Sequence, residues 1–392
     1  MHCLWITRQD PRPANSGELI YTLGLLGSLA KQPETELTVL AHRAAAGAEG
    51  GPPVHWELHG KIPGGRLKSL LSELPGDAFR LGNPVQRQAL SLLLGKKWDW
   101  IVIDQAACAW ALGMIGTHQK VAYIAHNHEA AVRKQVASDR GGSLPMRMAL
   151  KWDALKYARM ERALCRRADL ISAITPRDTE AFGTEFPGKP VCTLPPGYQG
   201  EAAAGAPREI TSETPRRVVL AGAFEWVAKR RNLEAFLNAA AESFQRGKIG
   251  FQVVGKADPE WFAALAKQHP WASFTANVPS ISPYLDQARI GLIPEALGGG
   301  FKLKALDYIF RGLPLASVEA ALSGVPVNPQ TEAIAAPDPE SLTKAVAAKI
   351  DDLAFLNHAA RRALDACRDA FHWEDRGVTL RKALGNPESF RA

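Results

Sequence analysis

The sequence predicts an α/β protein made of two Rossmann-like, doubly wound domains in tandem. Short apolar runs with the length of buried strands alternate with amphipathic helical stretches, which is the pattern of parallel βαβ units. This pattern stops in an aperiodic segment rich in Ala, Gly, Glu, Thr and Pro between Tyr198 and Pro215, and then begins again. A chain of 392 residues also exceeds the usual size of a single core.

The first domain is predicted over residues 1–200. Five apolar runs indicate its strands: Met1–Thr7, Leu37–Ala41, Trp100–Asp104, Val121–Ala125 and Leu170–Ile174. Turn residues follow each run, and an amphipathic stretch follows most of them. Parallel strands joined by helices are therefore expected.

The second domain is predicted over residues 217–371, after a linker at 201–216. Its strands are indicated at Val218–Gly222, Phe251–Gly255, Ser273–Ala276, Ile290–Pro294 and Pro314–Ser317, with a helix at Asn232–Phe244. A last helical segment is predicted from Phe371 to Leu384. Ligands of such sheets bind outside the carboxyl ends of the strands, so a cleft between the two domains is the expected site.

Composition narrows the class of protein. Hydrophobic residues make up 46% and charged residues 22%, as in a globular protein. The five cysteines are scattered without CxxC spacing, which argues against zinc or a disulfide framework and favours a reducing cytoplasm. No apolar run is long enough to span a membrane and no signal-peptide pattern opens the chain, so a cytoplasmic location is expected.

The positive charge is concentrated in residues 133–167. This segment holds ten Lys or Arg and three Asp or Glu, a net charge of +7 that equals the excess of the whole chain. It is either a solvated helical face or a contact surface for an anionic membrane or an anionic acceptor. The membrane interpretation would place the protein at the inner face of the membrane.

A glycine triplet, Gly298-Gly299-Gly300, precedes a predicted helix whose first turn carries Lys302 and Lys304. Glycines allow close approach of the backbone to a ligand, and the N–H groups at a helix start attract anions. Because lysines have the wrong sign for the helix dipole there, a negative ligand is expected, and phosphate is the natural one.

Asp307 lies about two turns into the same predicted helix. Its carboxylate is suited to accept hydrogen bonds from the hydroxyls of a ribose. The alternative is a simple ion pair with Lys304 at i,i+3 spacing.

A second cationic helix start lies early in the second domain. The strand that ends at Gly222 is followed by a short loop, and Lys229, Arg230 and Arg231 then precede the helix predicted from Asn232. Alone, this would be an ordinary solvated loop. Two such starts in one domain are suited to hold a diphosphate.

In the first domain, the first strand is followed by a long loop ending in Asn15, Ser16 and Gly17. A loop at the carboxyl end of a strand faces the expected cleft, and Gly17 permits close approach of a ligand. The alternative is an ordinary connection between a strand and a helix.

The fourth predicted strand ends in His126-Asn127-His128-Glu129. A metal site would need a third ligand that no spacing supplies. His126 is therefore either a histidine that contacts substrate or a structural one.

The sequence lacks the motifs of several enzyme classes. The chain has no Asp-x-Asp, no GxxxxGK[ST], no GxSxG, and no GxGxxG after a strand. Metal-dependent single-domain nucleotide-sugar enzymes, P-loop enzymes, α/β-hydrolases and dinucleotide-binding dehydrogenases are therefore disfavoured.

The order and spacing of these segments resemble the GT-B glycosyltransferases, in particular the large family four of bacterial glycan, lipopolysaccharide and exopolysaccharide synthesis. The matching segments are Gly17 with its loop, His126–Glu129, Ala168–Thr175, Gly222–Leu233, Val253–Gly255, Gly298–Asp307 and Gly312–Pro314. The resemblance also implies that the terminal helix at residues 372–392, with Trp373 near its start, crosses back to the first domain.

The resemblance implies roles in binding a nucleoside diphosphate sugar. The residues expected at the donor are Lys229, Arg230, Arg231, Lys302 and Lys304 at the diphosphate; Gly299, Gly300 and Phe301 as backbone donors; Asp307 at the ribose; Val278 near the base; and Gly17, Gly222 and Gly298 at close approaches. His126 would reach the donor sugar. Asn15, Ser16, Asn127 and Glu129 would lie on the acceptor side.

The sequence departs from the family in its glutamates. The family shows two glutamates separated by seven residues, whereas here Gly299 stands at the first position and Asp307 at the second. Glu295 is an upstream substitute with unusual spacing. Phe224 replaces the family's arginine, which shifts the cationic role to residues 229–231. Lys302 stands where the family has glycine, which indicates either an anionic donor sugar or a contact with the diphosphate.

These observations predict transfer of a sugar from a nucleotide donor to a hydroxyl of a glycan or lipid-linked acceptor in cell-surface polysaccharide synthesis. Lys229, Lys302 and His126 are the expected catalytic residues. The resemblance implies retention, and no metal or other cofactor is expected. Nucleic acid is not an expected partner. Two alternatives keep the fold: a catalytically weak nucleotide-sugar-binding partner of another transferase, and a GT-B nucleotide-sugar epimerase.

Overall fold

Two parallel β-sheets flanked by helices organise the chain, as shown by a computed structural model. The described residues are 1–44, 50–65, 67–138, 143–198, 200 and 208–391. They divide into two units, one formed by Met1–Gly197 with His372–Ala392 and the other by Tyr198–Phe371. The predicted α/β class with two Rossmann-like sheets is confirmed.

The first unit contains a seven-stranded sheet of order β3-β2-β1-β4-β5-β6-β7. Its strands are β1 (His2–Gln9), β2 (Glu36–His42), β3 (His55–Leu58), β4 (Trp100–Asp104), β5 (Val121–Ala125), β6 (Leu170–Ala173) and β7 (Val191–Thr193). All neighbouring strands pair in parallel. The central strands are buried on both faces, which explains their continuous apolar sequences.

Helices cover both faces of this sheet. They are α1 (Gly17–Ala30), α2 (Gly76–Leu81), α3 (Pro84–Leu93), α4 (Glu129–Ser138), α5 (Leu144–Arg167) and α6 (Pro176–Glu185), with 3₁₀ helices at Leu67–Leu71 and Ala106–Met114.

The second unit contains a six-stranded parallel sheet of order β10-β9-β8-β11-β12-β13. Its strands are β8 (Arg217–Ala223), β9 (Gly250–Lys256), β10 (Ala272–Ala276), β11 (Ile290–Ile293), β12 (Leu315–Val318) and β13 (Ile334–Ala336). Its helices are α7 (Val227–Arg246), α8 (Pro259–Gln268), α9 (Ser282–Asp286), α10 (Lys304–Phe310), α11 (Pro339–Lys349) and α12 (Leu353–Cys367), with a 3₁₀ helix at Glu319–Leu322.

Part of the predicted linker packs within the second unit. Residues 201–207 lie outside the described residues. Beyond them, Ile210 is 1% exposed and belongs to the core of this unit. Arg208 donates hydrogen bonds to the carbonyl oxygens of Leu285 and Ala288, so residues 208–210 are held against the body of the unit.

The terminal helix α13 (Trp373–Gly385) belongs to the first unit and packs against α1, followed by a short 3₁₀ helix at Pro387–Phe390. Its first residue, Trp373, is buried. A Cβ atom at Gly24 would lie 2.3 Å from the Trp373 ring, and one at Gly377 would lie 2.2 Å from the Ser28 carbonyl oxygen. Glycine at both positions is therefore what allows the two helices to approach so closely.

The ten predicted strands are present, but three more strands are not represented among the predictions. These are β3, β7 and β13, all at sheet edges. β3 is half exposed, and β7 and β13 have only three residues each. Such segments lack the continuous apolar run by which the buried strands were predicted.

Candidate active site

In the second sheet, the candidate site lies where the strand order reverses. The chain runs outward from β8 to β10 on one side and from β11 to β13 on the other, so the reversal lies between β8 and β11. Gly222 is near the end of β8, and Glu295 follows β11 by two residues. A crevice outside the carboxyl ends of strands at such a reversal is where doubly wound sheets bind ligands.

A buried ion pair marks this place. The Lys304 ammonium lies 2.5 Å from Glu295 Oε1, and the side chains are 10% and 6% exposed. Burial alone would raise the pKa of Glu295, but the charges of Lys304 and Lys302 outweigh it and hold the pKa below its ordinary value. The other carboxylate oxygen, Oε2, is buried without a hydrogen-bond partner within the described part of the chain.

Lys229 adds a further cation to this pair. It lies in the first turn of α7 and is half-buried. Burial and the neighbouring Lys304 charge lower its pKa to about 8, against the opposing attraction of Glu295. With Lys302 also acting on Glu295, three ammonium groups share one carboxylate, an arrangement suited to an anion with more than one negative charge.

The glycine-rich loop before α10 is fixed by Asn232. This buried side chain of α7 donates to the Leu297 carbonyl oxygen at 2.8 Å and accepts from the Leu297 N–H at 2.9 Å. Gly298 and Gly300 follow with φ of 100° and 71°, in the left-handed region that glycine adopts without strain. The loop backbone is thus held beside the lysines.

The two loop lysines differ from the prediction in position. Helix α10 begins at Lys304, so Lys302 precedes the helix rather than occupying its first turn. The Lys302 ammonium donates hydrogen bonds to the carbonyl oxygens of Gly299 and Gly300. The prediction that both lysines lie in the first turn of the helix is therefore wrong. Gly300 has a positive φ, which is not helical, so the helix begins only after it.

Asp307 lies in the first turn of α10 rather than two turns into it. Burial raises its pKa to about 6, and a hydrogen bond from Tyr198 opposes that shift. The simple pair with Lys304 is not formed, because the Lys304 ammonium is bonded to Glu295 instead. The Asp307 carboxylate remains half-buried.

The cations at 229–231 lie within α7, which begins at Val227 and not at Asn232 as predicted. Arg230 donates to the Phe224 carbonyl oxygen at 2.8 Å, and its guanidinium lies 4.8 Å from the Trp261 ring centroid. Phe224 itself is 2% exposed and packs on Phe262 in the core. Arg230 is therefore engaged in packing.

The remaining residues predicted at the donor are partly buried. Val278 and Phe301 pack against one apolar cluster of the second unit, and the Phe301 ring lies 5.5 Å from that of Phe371. Arg231 is half-buried on α7. In the same unit, Lys229, Lys302 and Lys304, which we call the lysine cluster, all act on the charge of Glu295.

In the first unit, His126 is held by a buried carboxylate that sequence reasoning missed. His126 Nε2 lies 2.7 Å from Asp104 Oδ1, while Oδ2 accepts hydrogen bonds from Thr22 at 2.7 Å and Trp5 at 3.1 Å. Burial would lower the pKa of His126, but Asp104 raises it above its ordinary value. The pair therefore stabilises the charged form of the His126 ring.

The missed signal was the position of Asp104 itself. It is the single charged residue of a strand that is otherwise apolar, and it is fully buried. Because β4 and β5 pair in parallel, their carboxyl ends bring Asp104 next to the residue that follows Ala125. This edge lies beside the reversal of strand order between β1 and β4.

The other predicted residues of the first unit have separate surroundings. Asn127 donates to Glu129 Oε1 at 2.9 Å, and Glu129 Oε2 pairs with Arg133 at 2.9 Å. Asn15 and Gly17 are exposed. Ser16 is the N-cap residue of α1, although its side chain makes no capping hydrogen bond.

Within the described ranges, no three His, Cys, Asp or Glu side chains are grouped so that they would hold a metal ion. The five cysteines are buried and unpaired. Likewise, no helix of the described chain is long and apolar enough to cross a membrane.

Comparison with known protein families decides the class of the second unit. Residues 215–352 match the family model described as glycosyl transferases group 1. These residues are a group 1 glycosyl transferase domain. The chain is thus a glycosyltransferase, and the lysine cluster, the Glu295–Lys304 pair and the glycine-rich loop all lie inside the transferase domain.

Solved glycosyltransferase structures share the fold over nearly the whole chain. A sucrose-phosphate synthase from Thermosynechococcus elongatus has a TM-score of 0.73 at 16% identity, with 98% of both chains covered. WaaG, a glycosyltransferase involved in lipopolysaccharide biosynthesis, has a TM-score of 0.67 at 16% identity, with 98% of this chain and 99% of WaaG covered. HepE from Anabaena, in complex with UDP and glucose, has a TM-score of 0.64 at 12% identity, with 98% and 100% covered.

The predicted GT-B fold and the resemblance to family four are confirmed by these matches. No curated protein matches this glycosyltransferase in sequence.

Replacing Asp104 with Asn is expected to lower the pKa of His126 in this glycosyltransferase. The carboxylate is the nearest source of the upward shift, so its loss leaves burial, which disfavours the charged ring, as the dominant influence. The measurement is an NMR titration of the His126 ring protons. Thr22→Val, which removes a neighbour of Asp104 but keeps the charge, should leave the pKa elevated. An unchanged His126 pKa in Asp104→Asn would contradict the pairing.

Proposed function

We propose that this glycosyltransferase moves a sugar from a nucleoside diphosphate sugar to a hydroxyl of a glycan or lipid-linked acceptor, with retention of configuration and without a metal. The observation that carries the proposal is the group of Lys229, Lys302 and Lys304 around Glu295 at the strand reversal of the transferase domain. A departing diphosphate is the anion that this excess of positive charge suits.

The lysines would act by stabilising the charge that develops on the leaving group. Each charge-assisted hydrogen bond to a diphosphate oxygen is worth about 1.5–3 kcal/mol, and the effect grows as the bond to the sugar breaks. Lysines in this role replace the divalent cation that other sugar transferases use. Front-face attack assisted by the leaving phosphate, the course that the resemblance to family four implies, is the proposed one.

Roles for the surrounding residues follow from their places in each unit. In the transferase domain, Asp307 would hold the ribose hydroxyls and the loop at Val278 would lie near the base. In the first unit, His126, held by Asp104, would contact the substrate through its remaining ring nitrogen. Asn15, Ser16, Asn127 and Glu129 are proposed on the acceptor side.

A uridine nucleotide is the first donor to test, and a cell-surface glycan is the first acceptor class. HepE, which shares the fold, forms a complex with UDP and glucose. WaaG, which also shares it, takes part in lipopolysaccharide biosynthesis. Both likenesses support this choice of donor and acceptor for the first tests.

The proposal is tested by thermal shift against UDP, GDP and their sugars, followed by transfer assays with the donors that bind. We expect at least one nucleoside diphosphate to raise the melting temperature and its sugar to be transferred to an acceptor. Binding without turnover by any donor would instead indicate a nucleotide-sugar-binding partner of another transferase. Isomerisation of the donor without acceptor would indicate an epimerase.

The proposal that sugar transfer needs no metal is tested in the same transfer assay. Activity should survive EDTA at a concentration that abolishes a magnesium-dependent control transferase. Loss of transfer in EDTA, restored by added Mg²⁺ or Mn²⁺, would contradict it.

A further inference from the structure

Helix α5 of the first unit carries an exposed apolar stripe. Leu144, Met148, Trp152 and Leu155 are all exposed, with Leu144 and Met148 each about two thirds accessible. Their spacing of four, four and three residues places them on one side of the helix. The opposite side, which includes Tyr157 and Leu164, is buried in the core of the unit. The stripe is therefore a second, outward apolar face.

A neighbouring segment widens this stripe into a patch. Trp152 Nε1 donates to the Leu70 carbonyl oxygen at 3.3 Å, and the Lys156 ammonium donates to the carbonyl oxygens of Ser69 and Leu70 at 2.7 and 3.2 Å. These bonds fix the 3₁₀ helix Leu67–Leu71 beside α5. Leu70 is exposed, and Leu71 is 97% exposed. We call Leu70, Leu71, Leu144, Met148, Trp152 and Leu155 the α5 patch.

Cations continue the same stripe toward the C-terminal end of the helix. Arg159, Arg162 and Arg166 follow Leu155 at intervals of four, three and four residues, and all three are exposed. Lys151 is exposed beside Trp152. The outward face of α5 is thus apolar in its first half and cationic in its second.

The acidic residues of α5 are turned away from this face. Asp153 Oδ1 accepts a hydrogen bond from the Gly76 N–H at 2.7 Å. Glu161 is buried and accepts from the Tyr123 hydroxyl at 2.7 Å and from the Ala130 N–H at 2.6 Å. Both acids of this fully described helix therefore serve the interior, and neither compensates the cations of the exposed face. Among those cations, Arg162 pairs with an acid of another helix, Glu185 of α6, at 3.3 Å.

We propose that the α5 patch and the adjoining cations dock on an anionic lipid bilayer. The apolar side chains and the Trp152 indole would enter the headgroup region, and Lys151, Arg159, Arg162 and Arg166 would meet the anionic headgroups. Charge alone did not distinguish a solvated helical face from a docking surface. The exposed apolar side chains of the α5 patch distinguish the two, because exposed apolar patches mark interaction surfaces and a solvated face is polar.

This docking is independent of sugar transfer, since it involves no residue of the lysine cluster or of the Asp104–His126 pair. An experiment can therefore contradict either the docking proposal or the sugar-transfer proposal without contradicting the other. Vesicle binding is measured with no donor present, and transfer is measured with a water-soluble acceptor.

The test is co-sedimentation of the full chain with phosphatidylcholine vesicles and with vesicles in which part of that lipid is replaced by phosphatidylglycerol. We expect binding to the anionic vesicles, weakened by added salt, and little binding to the neutral ones. Arg159→Glu with Arg166→Glu, and separately Met148→Ser with Leu155→Ser, should each weaken binding by roughly tenfold or more. These positions are exposed, so circular dichroism and melting temperature should stay as in the wild-type protein.

Matched controls are Leu92→Ser, an exposed apolar position on α3, and Lys267→Glu, an exposed cation of the second unit. Both should bind anionic vesicles as the wild-type chain does. Three outcomes would overturn the proposal: no binding of the wild-type chain, equal loss in the control variants, or wild-type binding by the α5 variants. Self-association that the Met148→Ser with Leu155→Ser variant abolishes, without vesicle binding, would identify the patch as a contact between copies instead.

Discussion

Replacing Lys304 with Met should destabilise the second unit by about 3–5 kcal/mol, the usual cost of leaving one member of a buried ion pair uncompensated. Glu295 would keep a carboxylate that is 6% exposed, with one oxygen already lacking a hydrogen bond among the described residues. Its remaining attraction to Lys229 and Lys302 offsets only part of this cost. Hydrogen exchange of the β8 and β11 amides measures the free energy of opening of this unit.

The partner substitution separates charge from packing. Lys304→Met combined with Glu295→Leu removes both charges, and we expect it to lose clearly less stability than Lys304→Met alone, since apolar replacement of a buried pair is often nearly neutral. Lys344→Met breaks an exposed pair with Glu340 and should leave hydrogen exchange unchanged. Equal losses in the single and double variants would show that the lysine stem, and not the ion pair, supports the fold.

Binding of a nucleoside diphosphate should weaken as the pH rises through about 8. Burial and the Lys304 charge lower the pKa of Lys229 to about 8, so the free protein loses this ammonium between pH 7 and 9. A diphosphate held by Lys229 would favour the charged form and raise its pKa in the complex. Affinity is therefore full below the pKa of the free protein and falls by up to about tenfold per pH unit above it. Titration calorimetry across this range measures the effect.

Two substitutions of Lys229 test whether its titration causes this pH dependence of binding. Lys229→Met should weaken binding by roughly tenfold to a hundredfold at pH 7, the loss of one charge-assisted contact, and should remove this pH dependence. Lys229→Arg keeps a charge that does not titrate in this range and should bind with little change between pH 7 and 9. A wild-type pH profile in Lys229→Arg would assign the dependence to another group.

The sheets of both units were predictable because their central strands are buried on both faces. Val121–Ala125 and Ile290–Ile293 are apolar at nearly every position, so a short continuous run predicts them directly. Edge strands such as Val191–Thr193 are too short to show any period. The start of α7 was misplaced by five residues because Trp226, its N-cap residue, carries no capping side chain.

The residue types of the candidate site were predictable from the sequence. Which of these residues form ion pairs with one another was not. Lysines at the starts of helices indicated an anion site from sequence alone. The bond between Lys304 and Glu295 depends on a loop whose path is set by positive φ at Gly298 and Gly300 and by the Asn232 side chain 65 residues earlier. The Asp104–His126 pair likewise depends on which strands are neighbours, and local sequence does not state that order.

The return of α13 to the first unit reverses the order in which the two units are completed during synthesis. The ribosome makes the strands of the first unit before those of the second, yet Trp373 and the helix it begins emerge only after all of Tyr198–Phe371. Until then the surface of α1 around Gly24 lacks its cover, whereas the second unit is one uninterrupted stretch. The unit that is synthesised first is therefore the last to be finished, and a nascent chain arrested before Trp373 would hold a complete transferase domain beside an unfinished partner.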